Sequence, residues 1–258
     1  MVNFAANLSM MFNEVDFLDR FGAAAQAGFR GVEYLFPYDF SAEDIKARLE
    51  EHGLAQVLFN TPAGDWDAGE RGLACDPARV DEFREGVAKA IGYAKILGCE
   101  QLHCMAGLAP DGAEPGDLRK TYVDNLRHAA GEMGRAGIKC LIEMINTRDI
   151  PGFYLNTSAQ AEGILTEAGS DNLYLQYDIY HMQIMEGDLA PTLERLLPKI
   201  AHMQLADTPG RNEPGTGEIN YRFLFAHIDQ LGYTGWIGCE YKPASTTLEG
   251  LGWMAPYQ

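Results

Sequence analysis

LIEMIN (141–146), LYLQYD (173–178), IAHMQLAD (200–207) and WIGCEYK (236–242) decide the fold. Each is a short, largely apolar run that carries a metal-binding side chain at or near its end: Glu143, Asp178, Gln204 and Glu240 in turn. Runs of this length, rich in Leu, Ile, Tyr and Trp, read as β-strands. The gaps between them have about the length of one strand–helix–strand unit, which makes the strands parallel. Parallel strands bring their C-terminal ends to one side of a sheet, and neighbours lie roughly 4.8 Å apart. Three carboxylates and an amide then converge on one point. Without a partner, the three acids would repel one another and hold their protons more tightly. A divalent cation removes that conflict, and an all-oxygen set suits Mg2+ or Mn2+. Any one of the four alone is more simply a loop cap or the partner of a nearby Arg; the four together favour the cation. No CxxC or HExxH pattern points to zinc.

The same alternation runs through the rest of the chain. Further strands are expected at FAANLSM (4–10), GVEYLF (31–36), LAQVLFN (54–60) and QLHCMAG (101–107), and the fifth and eighth extend to IKCLIEMI (138–145) and GWIGCEYK (235–242). Between them, EVDFLDRFGAAAQAGF shows helical apolar spacing and ends at Gly28. Ser41 reads as an N-cap for the helix AEDIKARLEEHG, and Asp76-Pro77 as the start of a long helix to about Leu97. Others fit 117–135, 158–169, 189–197 and 221–231. Eight strands joined by seven helices predict an α/β fold, a single closed (β/α)8 TIM barrel, and 258 residues match the roughly 250 such barrels need. No linker or composition break divides the chain, so one domain over 1–258 is expected. The connection 60–77 is long for a βα loop, and its Trp66 and Leu73 suggest a lid or binding loop rather than a surface excursion.

With 47% apolar and 22% charged residues the chain is an ordinary globular sequence, neither disordered nor fibrous. A net charge of −17 argues against nucleic acid and against anionic membranes. No apolar run approaches the ~20 residues of a membrane span, and the N-terminus lacks a signal-peptide pattern. Five scattered cysteines without a CxxC pair read as reduced thiols in a cytoplasmic protein. A homo-oligomer is compatible with these features.

Strand alternation places Gln176 on the face of Asp178, His202 on that of Gln204 and Lys242 on that of Glu240. His202 reads equally as a hydrogen-bonded core residue. His181, in a turn leaving the Asp178 strand, is within reach of the cation or of a substrate oxygen. At FAANLSMMF, GFRGVEYLFPYDF, PAGDWDAGERGLAC, YDIYHMQIMEGDL, PGTGEINY and GWIGCEYKP the chain resembles the hydroxypyruvate isomerase family, within the xylose-isomerase-like barrels. The resemblance implies an aldose–ketose type isomerase with a glutamate pair at Glu143 and Glu240. It also implies a divalent ion held by Glu143, Asp178, Gln204 and Glu240, although sugar epimerases of the group usually carry His where Gln204 stands. The implied reaction interconverts hydroxypyruvate and 2-hydroxy-3-oxopropanoate through an enediolate. Its anionic substrate needs a local positive group in so acidic a protein, with Arg71, Arg211 and Lys242 as candidates and Arg preferred for bidentate geometry. A 2-oxo-tetronate isomerase or a ketose 3-epimerase is the nearest alternative. A metal-dependent phosphodiesterase is opposed by the charge and by only six histidines. A non-catalytic sugar-acid binder would not need two glutamates facing one site.

Overall fold

In the computed structural model, which describes residues 2–257, eight parallel strands close into a barrel in chain order. They are β1 (Asn3–Asn7), β2 (Gly31–Glu33), β3 (Ala55–Asn60), β4 (Gln101–His103), β5 (Lys139–Glu143), β6 (Leu173–Asp178), β7 (Ile200–Leu205) and β8 (Trp236–Cys239). Closure comes from β1 pairing with β8, with Ala5 opposite Gly238. The expected domain limits, 1 and 258, lie outside the described residues. Every predicted strand is present, but most stop short of the predicted C-terminal end. Residues such as Cys104–Gly107 have left the ladder and form the mouth of the barrel instead.

The helices are α1 (Phe17–Gln26), α2 (Ala42–His52), α3 (Val80–Leu97), α4 (Pro115–Arg135), α5 (Ser158–Ala168), α6 (Ile179–Met185), α7 (Leu189–Leu196), α8 (Tyr221–Gln230) and α9 (Thr247–Gly250). Ser41 caps α2 as expected, its side chain accepting from the Asp44 amide, and Gly53 ends it in the left-handed region. Two expectations are corrected. The third helix opens at Val80, because Asp76 instead closes a turn by accepting from the Ala78 amide. His181 lies not in a loop but in α6, which, like α9, is additional to the seven helices expected. Seven residues are too few to show a helical period. The signal was Asp178 itself, whose Oδ1 accepts from the Tyr180 and His181 amides and starts the helix where the strand stops.

The outward strand faces and the helices share the main apolar core. Inside the barrel, a separate cluster of Ala5, Val57, Leu58 and Leu141, with Tyr174 and Trp236 packed on it, fills the end where the strands begin. Toward the strands' C-terminal ends the buried side chains become polar: Asn7, Glu33, His103, Glu143, Gln176, Asp178, His202 and Gln204. An interior that changes from apolar to polar along its axis is built to hold chemistry at one end. Among the described residues no helix is long and apolar enough to cross a membrane, and all five cysteines are buried free thiols.

Two loops are pinned onto this mouth. In the 60–77 loop, Gly72 forms an antiparallel bridge with Ala106. A Cβ at Gly107 would stand 2.4 Å from the Gly72 carbonyl oxygen, and both glycines have left-handed φ, 99° and 122°. In the loop after β7, the buried Asp207 carboxylate accepts from four backbone amides, those of Thr208, Gly215, Gly217 and Ile219. A methyl group at Gly107 must push backbone against backbone. Gly107→Ala is therefore expected to cost about 2 kcal/mol and to lower the melting temperature by about 4–8 °C. An unchanged thermal melt would show that the long loop is not seated on the end of β4.

Candidate active site

The mouth opens into a cavity of about 470 Å³ whose lining includes Arg71, Glu143, His181, Arg211, Glu240 and Lys242. One ligand atom each from Glu143, Asp178, His181 and Glu240 falls within 4.8 Å of the others. Ladder register sets their levels, with Glu143 opposite Gln176 and Asp178 opposite Gln204. Glu143 ends β5; its Oε2 accepts from Gln176 Nε2 at 3.0 Å, whereas its Oε1 has no partner among the described residues. Asp178 is likewise half used, Oδ1 capping α6 and Oδ2 left without a partner. Glu240, one residue beyond β8, has Arg211 Nη2 on Oε2 at 2.6 Å and the amides of Asn7 and Gln204 on Oε1, each at 3.3 Å. Gln204 Oε1 accepts from Gln176 Nε2 at 2.6 Å, leaving one lone pair.

The proton on His181 can be placed from its neighbours. Asn146 Oδ1 accepts from the Arg148 and Asp149 amides, so Asn146 Nδ2 is the atom that donates to His181 Nδ1, at 2.6 Å. With Nδ1 accepting, the ring hydrogen resides on Nε2, 3.6 Å from Asp178 Oδ2 and 3.7 Å from Glu143 Oε1. Burial, with the Arg211 charge beside it, holds the His181 pKa well below the usual histidine range, so the ring is neutral. It offers a hydrogen bond to the cavity rather than a lone pair, which leaves oxygen atoms as the donors for a cation.

Burial dominates the carboxylates. It raises the Glu143 pKa well above the usual range, reinforced by Glu240 and Asp178. Glu240 is raised to about 8 and Asp178 to about 6 by burial, each opposed by Arg211. Arg211, at a positive φ of 54°, spans Glu240 and Asp149, lies 5.1 Å from the centre of the Tyr180 ring and keeps a buried Nε without a partner. Arg71 lies 4.0 Å over the Trp66 ring and donates Nη1 to the Trp66 and Glu70 carbonyls. Lys242 is exposed at the rim. All of the expected site residues are thus gathered at the mouth, Gln204 in the layer just below the cavity and the three cationic side chains in its lining.

The sequence reading overlooked Glu33 and Asn7. Glu33 ends β2, is only 1% exposed, and accepts from His202 Nε2 at 2.7 Å, which makes His202 a core residue. A carboxylate inside the apolar run GVEYLF was the available signal, since a buried acid needs partners. His103, also unremarked, has Nδ1 3.1 Å from Asn60 Oδ1 and 3.6 Å from Glu143 Oε2, and burial lowers its pKa to about 3.

The raised carboxylates carry a consequence for stability. A buried acid with raised pKa favours folding while protonated, so its contribution is full below the unfolded value of about 4.3 and is lost as pH rises through the folded value. For Glu240 that loss extends to about pH 8. Chelator-treated protein is expected to lose stability from pH 5 to 8, and Glu240→Gln to flatten the slope by up to about 1.4 kcal/mol per pH unit. Equal slopes in denaturant titrations of the two proteins would contradict the burial of that charge.

Residues 21–257 match the model of the xylose isomerase-like TIM barrel family. The chain is 53% identical to a hydroxypyruvate isomerase of Escherichia coli K12 over the full length of both. It is 52% identical to a 2-oxo-tetronate isomerase of Cupriavidus necator, covering 100% of this chain and 99% of that one. A solved structure titled AP endonuclease, family 2, from Brucella melitensis superposes with a TM-score of 0.98 at 47% identity, each chain covered completely. Closed eight-strand topology, the acidic mouth and full-length similarity agree: the chain belongs to the xylose isomerase-like TIM barrel family.

Proposed function

We propose that the protein is a hydroxypyruvate isomerase, interconverting hydroxypyruvate and 2-hydroxy-3-oxopropanoate by proton transfer between carbon atoms. The observation that carries the reading is the pair Glu143 and Glu240, two buried acids lining one cavity, each with an oxygen fixed by side-chain amides. The relatives of the same length named as isomerases support it. The unpartnered oxygens of Glu143 and Asp178, beside Glu240, suit a hard divalent cation, Mg2+ or Mn2+, with the Gln204 carbonyl as the remaining donor. When bound, such an ion supplies Lewis-acid polarisation of the substrate oxygens, a contribution of several kcal/mol.

The protein groups divide the remaining work. One glutamate removes the C3 proton and the other returns a proton at C2, while the hydroxyl proton passes from O3 to O2, so the 3-hydroxyl becomes the aldehyde and the C2 carbonyl becomes the hydroxyl. High intrinsic basicity, the result of burial, is what a general base for a carbon acid needs. His181 Nε2–H donates to the oxygen on which charge develops. Arg211, through its free Nε, and Arg71 receive the substrate carboxylate, with Lys242 adding positive potential at the rim. The loop carrying Trp66 and Arg71 excludes water from the enediolate. The five free thiols fit a cytoplasmic setting, and the charge of −17 weighs against nucleic acid as substrate. A four-carbon 2-oxo acid is the second reading, favoured by a cavity of about 470 Å³ that exceeds the needs of a three-carbon acid.

Proton NMR of hydroxypyruvate in D2O, before and after chelation and return of Mg2+ or Mn2+, tests the reaction. Conversion with deuterium incorporation is expected, and Glu143→Gln and Glu240→Gln should each lower kcat by about 10²–10⁴-fold. Near-normal turnover in either variant would remove the proton-transfer assignment; no conversion by the wild type would remove the three-carbon substrate. Arg211→Ala and Arg71→Ala are expected to raise KM by about 10-fold or more. If neither does, the carboxylate is bound elsewhere.

A further inference from the structure

Beneath Glu240 lies a carboxylate that touches no cavity wall. Glu33 Oε1 accepts from Asn7 Nδ2 at 3.0 Å and from Gln204 Nε2 at 2.8 Å. The same two nitrogens each donate a second hydrogen, at 3.3 Å, to Oε1 of Glu240. Each amide nitrogen carries two hydrogens, so both donors are fully used between the two acids. Glu33 Oε2 is held in turn by His202 Nε2 at 2.7 Å. Room for this arrangement comes from β8: a Cβ at Gly238 would lie 2.3 Å from both Glu33 oxygens. Gly238 pairs with Gln204 in the β7–β8 ladder, so the carboxylate of β2 reaches across the barrel to the strands that carry Gln204 and Glu240.

We infer that Glu33 is a positioning residue for Glu240, orienting the Asn7 and Gln204 amides so that both hydrogen-bond one oxygen of the catalytic carboxylate. Deepening the isomerase reading, this assignment rests on Glu240 as a proton-transfer group. With Oε1 held by two amides and Oε2 by Arg211, the plane of the Glu240 carboxylate is set from three directions. Gln176 Nε2 holds the Gln204 oxygen, and Glu33 Oε1, at 2.8 Å, fixes where the Gln204 nitrogen sits; without Glu33 that nitrogen keeps only its 3.3 Å contact to Glu240. Freed from Glu33, the Asn7 and Gln204 nitrogens would shift, and the Glu240 carboxylate with them. Displacements of this kind, about 1 Å, cost on the order of 10²-fold in rate without altering affinity for the ground state.

The test uses three variants of the full chain. Glu33→Gln keeps an acceptor oxygen for the two amides and can donate to a His202 tautomer that accepts at Nε2, so its kcat should stay within about 10-fold of wild type. Glu33→Ala removes the acceptor, and kcat should fall about 100-fold while KM changes less than about 3-fold. Gly238→Ala deletes no polar group but displaces the Glu33 carboxylate, the movable end of a side chain, and should reproduce that kcat loss in a folded protein. It therefore decides the matter even where Glu33→Ala does not fold. Crystal structures of the wild type and Gly238→Ala should show the Gln204 amide and the Glu240 carboxylate displaced together. Normal kcat in Gly238→Ala, a rise in KM alone, or an unmoved Glu240 would overturn the assignment. If the wild type turns over no 2-oxo acid, the isomerase reading fails, and the crystallographic comparison still decides whether Glu33 positions Glu240.

Discussion

Four carboxylates, those of Glu33, Glu143, Asp178 and Glu240, are buried at one end of this barrel, with the half-buried guanidinium of Arg211 beside them. Taking acids out of water is expensive, and an abundance of lysine or arginine would be the simplest remedy. The protein does not use it. Hydrogen-bond donors are supplied mainly by neutral amides: Asn7 and Gln204 for Glu33 and Glu240, Gln176 for Glu143, and backbone groups of α6 for Asp178. A neutral donor fixes the direction of a carboxylate while lowering its basicity far less than a full positive charge does. Orientation and basicity are thereby set separately, which proton abstraction from carbon requires.

That division is already present in the strand register. Asn7 stands opposite Glu33, Gln176 opposite Glu143, and Gln204 opposite Asp178, so acids and amides alternate around the ladder. A slip of one residue in any strand would turn its acid or amide outward into the apolar layer under the helices. Two irregularities, at Val32/Glu33 and Leu175/Gln176, bring the affected strands into this common level. The apolar plug of Ala5, Val57, Leu58 and Leu141 keeps the opposite end closed, so the polar layer faces one opening.

Much of this was legible in the sequence, and the failures have identifiable causes. Strand and helix order follows from apolar periodicity, which local sequence reports directly, and the strand-end positions of Glu143, Asp178, Gln204 and Glu240 follow from the strands. Strand ends were overrun because YLF (34–36) and CMAG (104–107) are as apolar as the strands they continue; what stops them is the departure of the backbone from the ladder, a tertiary event. Helix α6 was missed because Asp178 plays two parts, ligand candidate and N-cap, and only one was considered. Glu33 was missed for another reason. Its significance lies in a neighbour 26 residues earlier and another 171 residues later, and in a glycine on β8 that makes room for it. No window of local sequence contains that relationship, although a lone acid in an apolar strand hinted at it.

The loop after β7 takes its shape from Asp207, whose four amide partners run from Thr208 to Ile219. Arg211 rides on that loop, and its side chain reaches back to Glu240. The side chains proposed to bind the substrate carboxylate and to transfer the proton are consequently held together by one loop. Thr216 and Glu218 on the same loop are exposed, while their amides tie back to Glu213 and Thr208. The placement of Arg211 against Glu240 thus depends on a carboxylate, that of Asp207, outside the cavity lining.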